Sequence, residues 1–233
     1  MTRIVSLDIT RWQPPYDEAT QQRAIEALES GDVLVLPHLA FQLSPQETRF
    51  LSPAWSDAHA KNISLERGTL KGARGKPADL DALSHMIERF AHGAGELVAG
   101  LFPRYAPYVK RARTSFRPQP AVGRGLSWRK DDSRLHIDAF PSRPNHGERI
   151  LRVFCNVNPR QDRVWRVGDQ FAPMAQTFLP RIRSQRRWSP RLLAMLHVTK
   201  GKRSEYDHLM LGLHDQAKAD LAYQSGCRVA VER

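Results

Sequence analysis

Ser127-Trp128-Arg129-Lys130-Asp131-Asp132-Ser133-Arg134-Leu135-His136-Ile137-Asp138-Ala139-Phe140-Pro141 contains a His-x-Asp triplet, His136-Ile137-Asp138, on a segment patterned as a strand. On an extended strand, residues i and i+2 point to one face, so the imidazole and the carboxylate converge. Such a pair is two thirds of the 2-His-1-carboxylate facial triad that holds Fe(II) and leaves positions open for oxygen and a cosubstrate. A strand, a Pro/Gly/Asn-rich loop (Pro141 to Gly147) and a second strand follow one another here. That order suits the open mouth of a double-stranded β-helix. The competing reading is a capped turn in which Asp138 bonds local backbone amides.

The following stretch, Glu148 to Asn158, alternates. Ile150, Arg152, Phe154, Asn156 and Asn158 share one face, and the apolar Leu151, Val153, Cys155 and Val157 share the other. Arg152 is placed to grip a carboxylate bidentately, and Asn156 to orient an oxygen ligand. An equal alternative is that Arg152 pairs with a structural acid. Arg129, Lys130, Arg134 and Arg143 surround the triplet, and Arg117 lies on the strand before it. They suit an acidic sugar or a phosphate, or, with Asp131 and Asp132, a self-paired surface loop. A third metal ligand is hard to find. His146 follows Asp138 with no strand between, and His197, His208 and His214 fall in helical segments; His214 is the residual candidate. His85 and His92, seven apart on one helix, read as surface residues.

The 233 residues carry a net charge of +12 and 41% hydrophobic content, which predicts one domain with a real core. The charge calls for an anionic partner or simple solubility. No nucleic-acid-binding motif accompanies it, so nucleic acid is not expected. Two cysteines give no disulfide or zinc framework, and neither a signal peptide nor a membrane-spanning run is seen. A cytoplasmic protein fits. Strands are predicted at Ile4 to Ile9 and, buried, at Asp32 to Pro37. A helix from Asp17 to Ser30 has Asp17 as its N-cap and Gly31 just past its end. Asn62 to Pro77 reads as a loop, Asp79 to Leu101 as a helix stopped by Pro103. Strands return at Val109 to Arg117, Arg134 to Asp138, Glu148 to Asn158 and Val164 to Val167. Ala172 to Arg183, Pro190 to Val198 and Glu205 to Tyr223 read as helices. The basic run Arg181 to Arg203 is either a solvated surface or a docking face for a phosphorylated membrane.

The run 127–144 resembles the signature of the Kdo (3-deoxy-D-manno-oct-2-ulosonic acid) hydroxylases. Gly147-Glu148-Arg149-Ile150-Leu151-Arg152-Val153-Phe154-Cys155-Asn156-Val157-Asn158-Pro159, Lys61-Asn62-Ile63-Ser64-Leu65 and Arg203-Ser204-Glu205-Tyr206-Asp207-His208-Leu209-Met210-Leu211 resemble it too. The likeness runs to about Gln224. It implies an Fe(II)- and 2-oxoglutarate-dependent dioxygenase that uses O2 to hydroxylate the Kdo sugar of a Kdo-lipid A precursor in lipopolysaccharide. The inner face of the cytoplasmic membrane of a Gram-negative cell would be its workplace. His136 and Asp138 match the first two iron ligands, with no catalytic residue expected beyond the metal ligands. The expected fold is α+β: an incomplete double-stranded β-helix (jelly roll) core with N-terminal helices and a C-terminal helical segment. The single domain would divide into N-terminal support (1–108), metal-site strands (109–170), a helical insertion (171–224) and an atypical tail (225–233). About four core strands after Val109 is half of a jelly roll, and the tail does not read as family sequence. The chain is therefore expected to be C-terminally truncated, to lack the distal His and to be impaired. The alternative is a non-catalytic remnant, or a basic module that binds anionic lipid.

Overall fold

The computed structural model describes residues 2–232 except 58–59, 61, 119–126, 130, 132, 141–143, 185–194, 197–198, 200 and 227, and describes only the backbone of 228–232. The chain divides into two compact units. One comprises residues 3–120, 153–163 and 231–233; the other comprises 1–2, 121–152 and 164–230.

In the first unit, β1 (Ile4–Ser6), α1 (Glu18–Glu29) and β2 (Val33–Val35) follow in order, and β1 pairs with β2 in parallel, Val5 opposite Leu34. Asp17 caps α1 by accepting from the Thr20 amide, and Gly31 leaves the helix at φ 75°, both as predicted. The β2 strand is only half-buried, with Val33 40% exposed; it was expected to be buried, but it belongs to a two-stranded sheet and so has one open edge. The buried Asp32 carboxylate accepts from the Arg3 amide at 2.9 Å and from its Nε at 2.8 Å, tying the two strand starts together. Asp32→Ala leaves that amide without its acceptor and is expected to cost about 2 kcal/mol. Urea denaturation measures it, and a midpoint equal to wild type would refute this role.

The segment expected to be a loop, Asn62 to Pro77, contains instead a hairpin: β3 (Ile63–Glu66) and β4 (Thr69–Lys71) are antiparallel. Arg67 and Gly68 join them with φ of 49° and 75°, as a two-residue type I′ turn requires. β3 also pairs with β5 (Thr114–Phe116). The 25-residue α2 (Pro77–Leu101), about 37 Å long, serves two clusters. Its Leu83, Met86 and Ile87 pack on Ile63, Leu65, Phe50 and Phe116. Its Leu97, Val98 and Leu101 pack on Leu7, Ile9 and Ala24. His85 and His92 are exposed, as expected.

In the second unit, α3 (Phe171–Phe178) packs Met174, Ala175 and Phe178 against Leu213 and Ala217 of α4 (Glu205–Ala219), and α5 (Leu221–Ser225) follows. The strand β6 (Arg163–Val167) neighbours β7 (Arg228–Glu232).

The fold is α+β, as predicted. Among the described residues the sheets are small and open, so a closed barrel is not seen, and neither is the jelly-roll core. The strands expected at Arg134 to Asp138 and Glu148 to Asn158 are not formed: neither segment has a ladder partner among the described residues. The predicted helix at Pro190 to Val198 lies largely outside the described residues. No described helix is long and apolar enough to cross a membrane.

Candidate metal and cosubstrate site

The triplet keeps the predicted alternation even without a partner strand. Leu135 is buried and Ile137 packs on the α3–α4 core, while His136 is exposed and Asp138 is half-exposed. The apolar residues anchor the segment inward, so the imidazole and carboxylate project outward together.

His136 Nδ1 lies 2.6 Å from the Arg134 carbonyl oxygen. A carbonyl only accepts, so Nδ1 donates and Nε2 keeps the lone pair that a metal needs. Asp138 Oδ2 is ion-paired with Arg152 Nε. The sequence left open whether Arg152 meets a cosubstrate or a structural acid; here its guanidinium holds the carboxylate beside the expected metal position. His214 also comes near, its ring centroid 5.2 Å from that of His136. Its Nδ1 donates to the Ile137 carbonyl at 2.6 Å. Burial holds His214 below the ordinary imidazole range, against the backbone hydrogen bond that favours its charged form. Nevertheless no three His, Cys, Asp or Glu residues among those described are grouped to hold a metal. One imidazole with a free Nε2 and one carboxylate suit iron(II). Two of the donor types that a facial triad needs thus lie side by side on one segment.

The other predicted residues are placed as follows. Arg134 Nη1 donates to the Lys218 carbonyl at 2.8 Å, and its Nε lies 3.6 Å from Asp131. Arg129 stacks over Trp128 at 4.3 Å and stays largely exposed. Arg117, in the first unit, donates to Asn62 Oδ1 at 2.7 Å. Asn156 spends its amide on its own loop: Nδ2 donates to the Gln161 carbonyl and Oδ1 accepts from the Asn158 amide. Lys130, Arg143 and His197 lie outside the described residues.

The sequence reading missed two groups. Asp207, at the third position of α4, forms a capping box with Ser204 and also accepts from the Asn145 and His146 amides at 2.9 and 3.1 Å. The loop behind the triplet is thereby pinned to the helix. Burial raises its carboxyl pKa, but the hydrogen bonds from Ser204, His146 and Asn145 outweigh that and leave it lowered. The signal was present in Ser204-x-x-Asp207. Gln224 is the second group: its side chain bonds the backbone of Leu135, and nothing local in the sequence marks it.

The chain matches the 3-deoxy-D-manno-oct-2-ulosonic acid (Kdo) hydroxylase family over residues 11–231. Among solved structures it is similar to the Kdo hydroxylase KdoO, a non-heme Fe(II) alphaketoglutarate dependent dioxygenase. The complex with alphaketoglutarate and Fe(III) is 44% identical with a TM-score of 0.92. The apo and cobalt(II) structures are each 45% identical with TM-scores of 0.93. Each comparison covers 99% of this chain and 78% of the other. No curated protein matches the sequence. The family match continues to residue 231, through most of the tail that read as foreign to the family.

Proposed function

The chain belongs to the Kdo hydroxylase family, and from that membership we propose that it is an Fe(II)- and 2-oxoglutarate-dependent dioxygenase that hydroxylates the Kdo sugar of a Kdo-lipid A precursor. The observation that carries the reading is the outward pairing of His136 and Asp138 on a segment anchored to the core through Leu135 and Ile137. His136 binds iron through Nε2, because Nδ1 is committed to the Arg134 carbonyl. Asp138 supplies the carboxylate. Arg152, the present partner of Asp138, turns its guanidinium to a carboxylate of 2-oxoglutarate when the metal takes its place. Bound iron with 2-oxoglutarate and oxygen supplies the oxidation, in which 2-oxoglutarate becomes succinate and carbon dioxide and one oxygen atom enters the sugar. The exposed Arg129, with Lys130 and Arg143, meets the anionic substrate. The net charge of +12 suits a phosphorylated lipid at a membrane surface.

The test is an anaerobic titration of the purified chain with Fe(II) and 2-oxoglutarate, followed by oxygen and Kdo-lipid A. A metal-to-ligand charge-transfer band, one added oxygen in the lipid and matching succinate are expected. No band at saturating ligand would overturn the reading.

A further inference from the structure

Among the described residues no strand pairs with His136 and Asp138, so another group must fix their segment. We propose that Gln224 is a positioning residue for the metal-binding pair, its side-chain amide standing where a neighbouring strand would lie. The proposal rests on the reading of His136 and Asp138 as metal ligands.

The Leu135 amide donates to Gln224 Oε1 at 2.8 Å, and Gln224 Nε2 donates back to the Leu135 carbonyl at 3.0 Å. One residue exchanging both backbone groups with one partner is the hydrogen-bonded pair of an antiparallel ladder, here completed by a side chain. The second Nε2 proton goes to the Ala217 carbonyl at 2.8 Å, so the amide is itself fixed to the last turn of α4. Its orientation follows from its partners: the nitrogen end faces two carbonyls, which only accept, and the oxygen end faces an amide, which only donates. Gln224 is buried, where polar groups left unpaired are expensive. In an extended segment the backbone groups of residues i and i+2 face one edge. The next carbonyl on the Leu135 edge is that of Ile137, which accepts from His214 Nδ1. On the other edge, the Arg134 carbonyl accepts from His136 itself. His136 thus sits between two anchored residues, and the anchoring directs it and Asp138 to one side.

Glutamate at 224 could accept from Leu135 but would face two carbonyls with no proton to give. Methionine would fill the space with neither donor nor acceptor. Cobalt(II), which a solved relative binds, serves as the probe, titrated calorimetrically in the apo chain. Gln224→Met is expected to weaken cobalt binding 10- to 100-fold, the range for partners that orient metal ligands, and Gln224→Glu to weaken it in the same direction. Leu83→Ala, which opens a cavity in the α2 core that Leu135 and Ile137 do not join, is expected to lower thermal stability and leave cobalt affinity within about threefold. Hydrogen exchange on the wild-type chain should show a protected Leu135 amide. Wild-type affinity in Gln224→Met, equal weakening in Leu83→Ala, or an unprotected Leu135 amide overturns the proposal while leaving the metal ligands standing. A wild-type chain that takes up no cobalt overturns the metal-site reading itself, and this proposal with it. If Gln224→Met does not fold, Gln224→Glu is judged by the same criterion.

Discussion

His136→Ala and Asp138→Ala are each expected to lower kcat/KM for the sugar substrate by on the order of a thousandfold or more, since each removes one of the two protein donors proposed for the metal. The charge-transfer band of the Fe(II)–2-oxoglutarate complex should vanish in both. Arg152→Ala separates the two duties of that side chain. Removing the cation that pairs with Asp138 takes away a competitor for the carboxylate, so metal affinity should hold or rise. Losing a charge-assisted contact to the cosubstrate should raise the KM for 2-oxoglutarate about 10- to 100-fold. Succinate release, assayed over a range of 2-oxoglutarate concentrations, reads both. An Arg152→Ala enzyme with unchanged KM would remove Arg152 from cosubstrate binding and leave it as the counter-ion of Asp138.

Asp207→Ala is expected to cost about 3 kcal/mol of stability. It removes the α4 capping box and leaves the part-buried Asn145 and His146 amides without their acceptor. Asp207→Asn should cost less, because one oxygen still accepts. The acid limb of the stability curve provides a second measurement. The Asp207 carboxyl pKa is lowered in the fold, so its stabilisation is fully present above the unfolded Asp value of about 3.9. It is lost as pH falls below that value and through the folded one. Denaturation across the acid range should show Asp207→Asn losing less stability on acidification than wild type. Parallel acid limbs in the two proteins would exclude Asp207 as the group responsible.

The legible parts of the sequence were those decided locally. Asp17, Gly31 and Pro103 bounded two helices correctly because caps and breakers act within a few residues. The period-2 pattern gave the facing of His136 and Asp138. The hairpin at Ile63–Lys71 is masked by the Gly, Lys and Arg of the longer stretch Asn62 to Pro77, although the two residues between two β-prone runs are the telling signal. The triplet's partner was beyond reach of local pattern: the segment alternates like a strand, but its neighbour is the side chain of Gln224. The same limit explains the expected strand at Glu148 to Asn158. Val153 and Val157 do turn toward cores as alternation requires, yet no ladder forms. It explains the basic residues too. Their charge read as a substrate grip, but for Arg134 the sequence could not show that Asp131 and the Lys218 carbonyl were its partners.

The clamp between Leu135 and Gln224 joins points 89 residues apart, and with His136 and Asp138 as the proposed metal ligands it would tie metal loading to the docking of α4 and α5. Until α4 and α5 settle, the segment has no edge partner and the two ligands have no fixed separation. A metal ion that recognises only the docked arrangement adds its binding free energy to the hold of those helices, about 2.7 kcal/mol at a hundred times the dissociation constant. Residues 205–225 should therefore become more resistant to proteolysis as metal is added, far along the chain from the side chains that bind it.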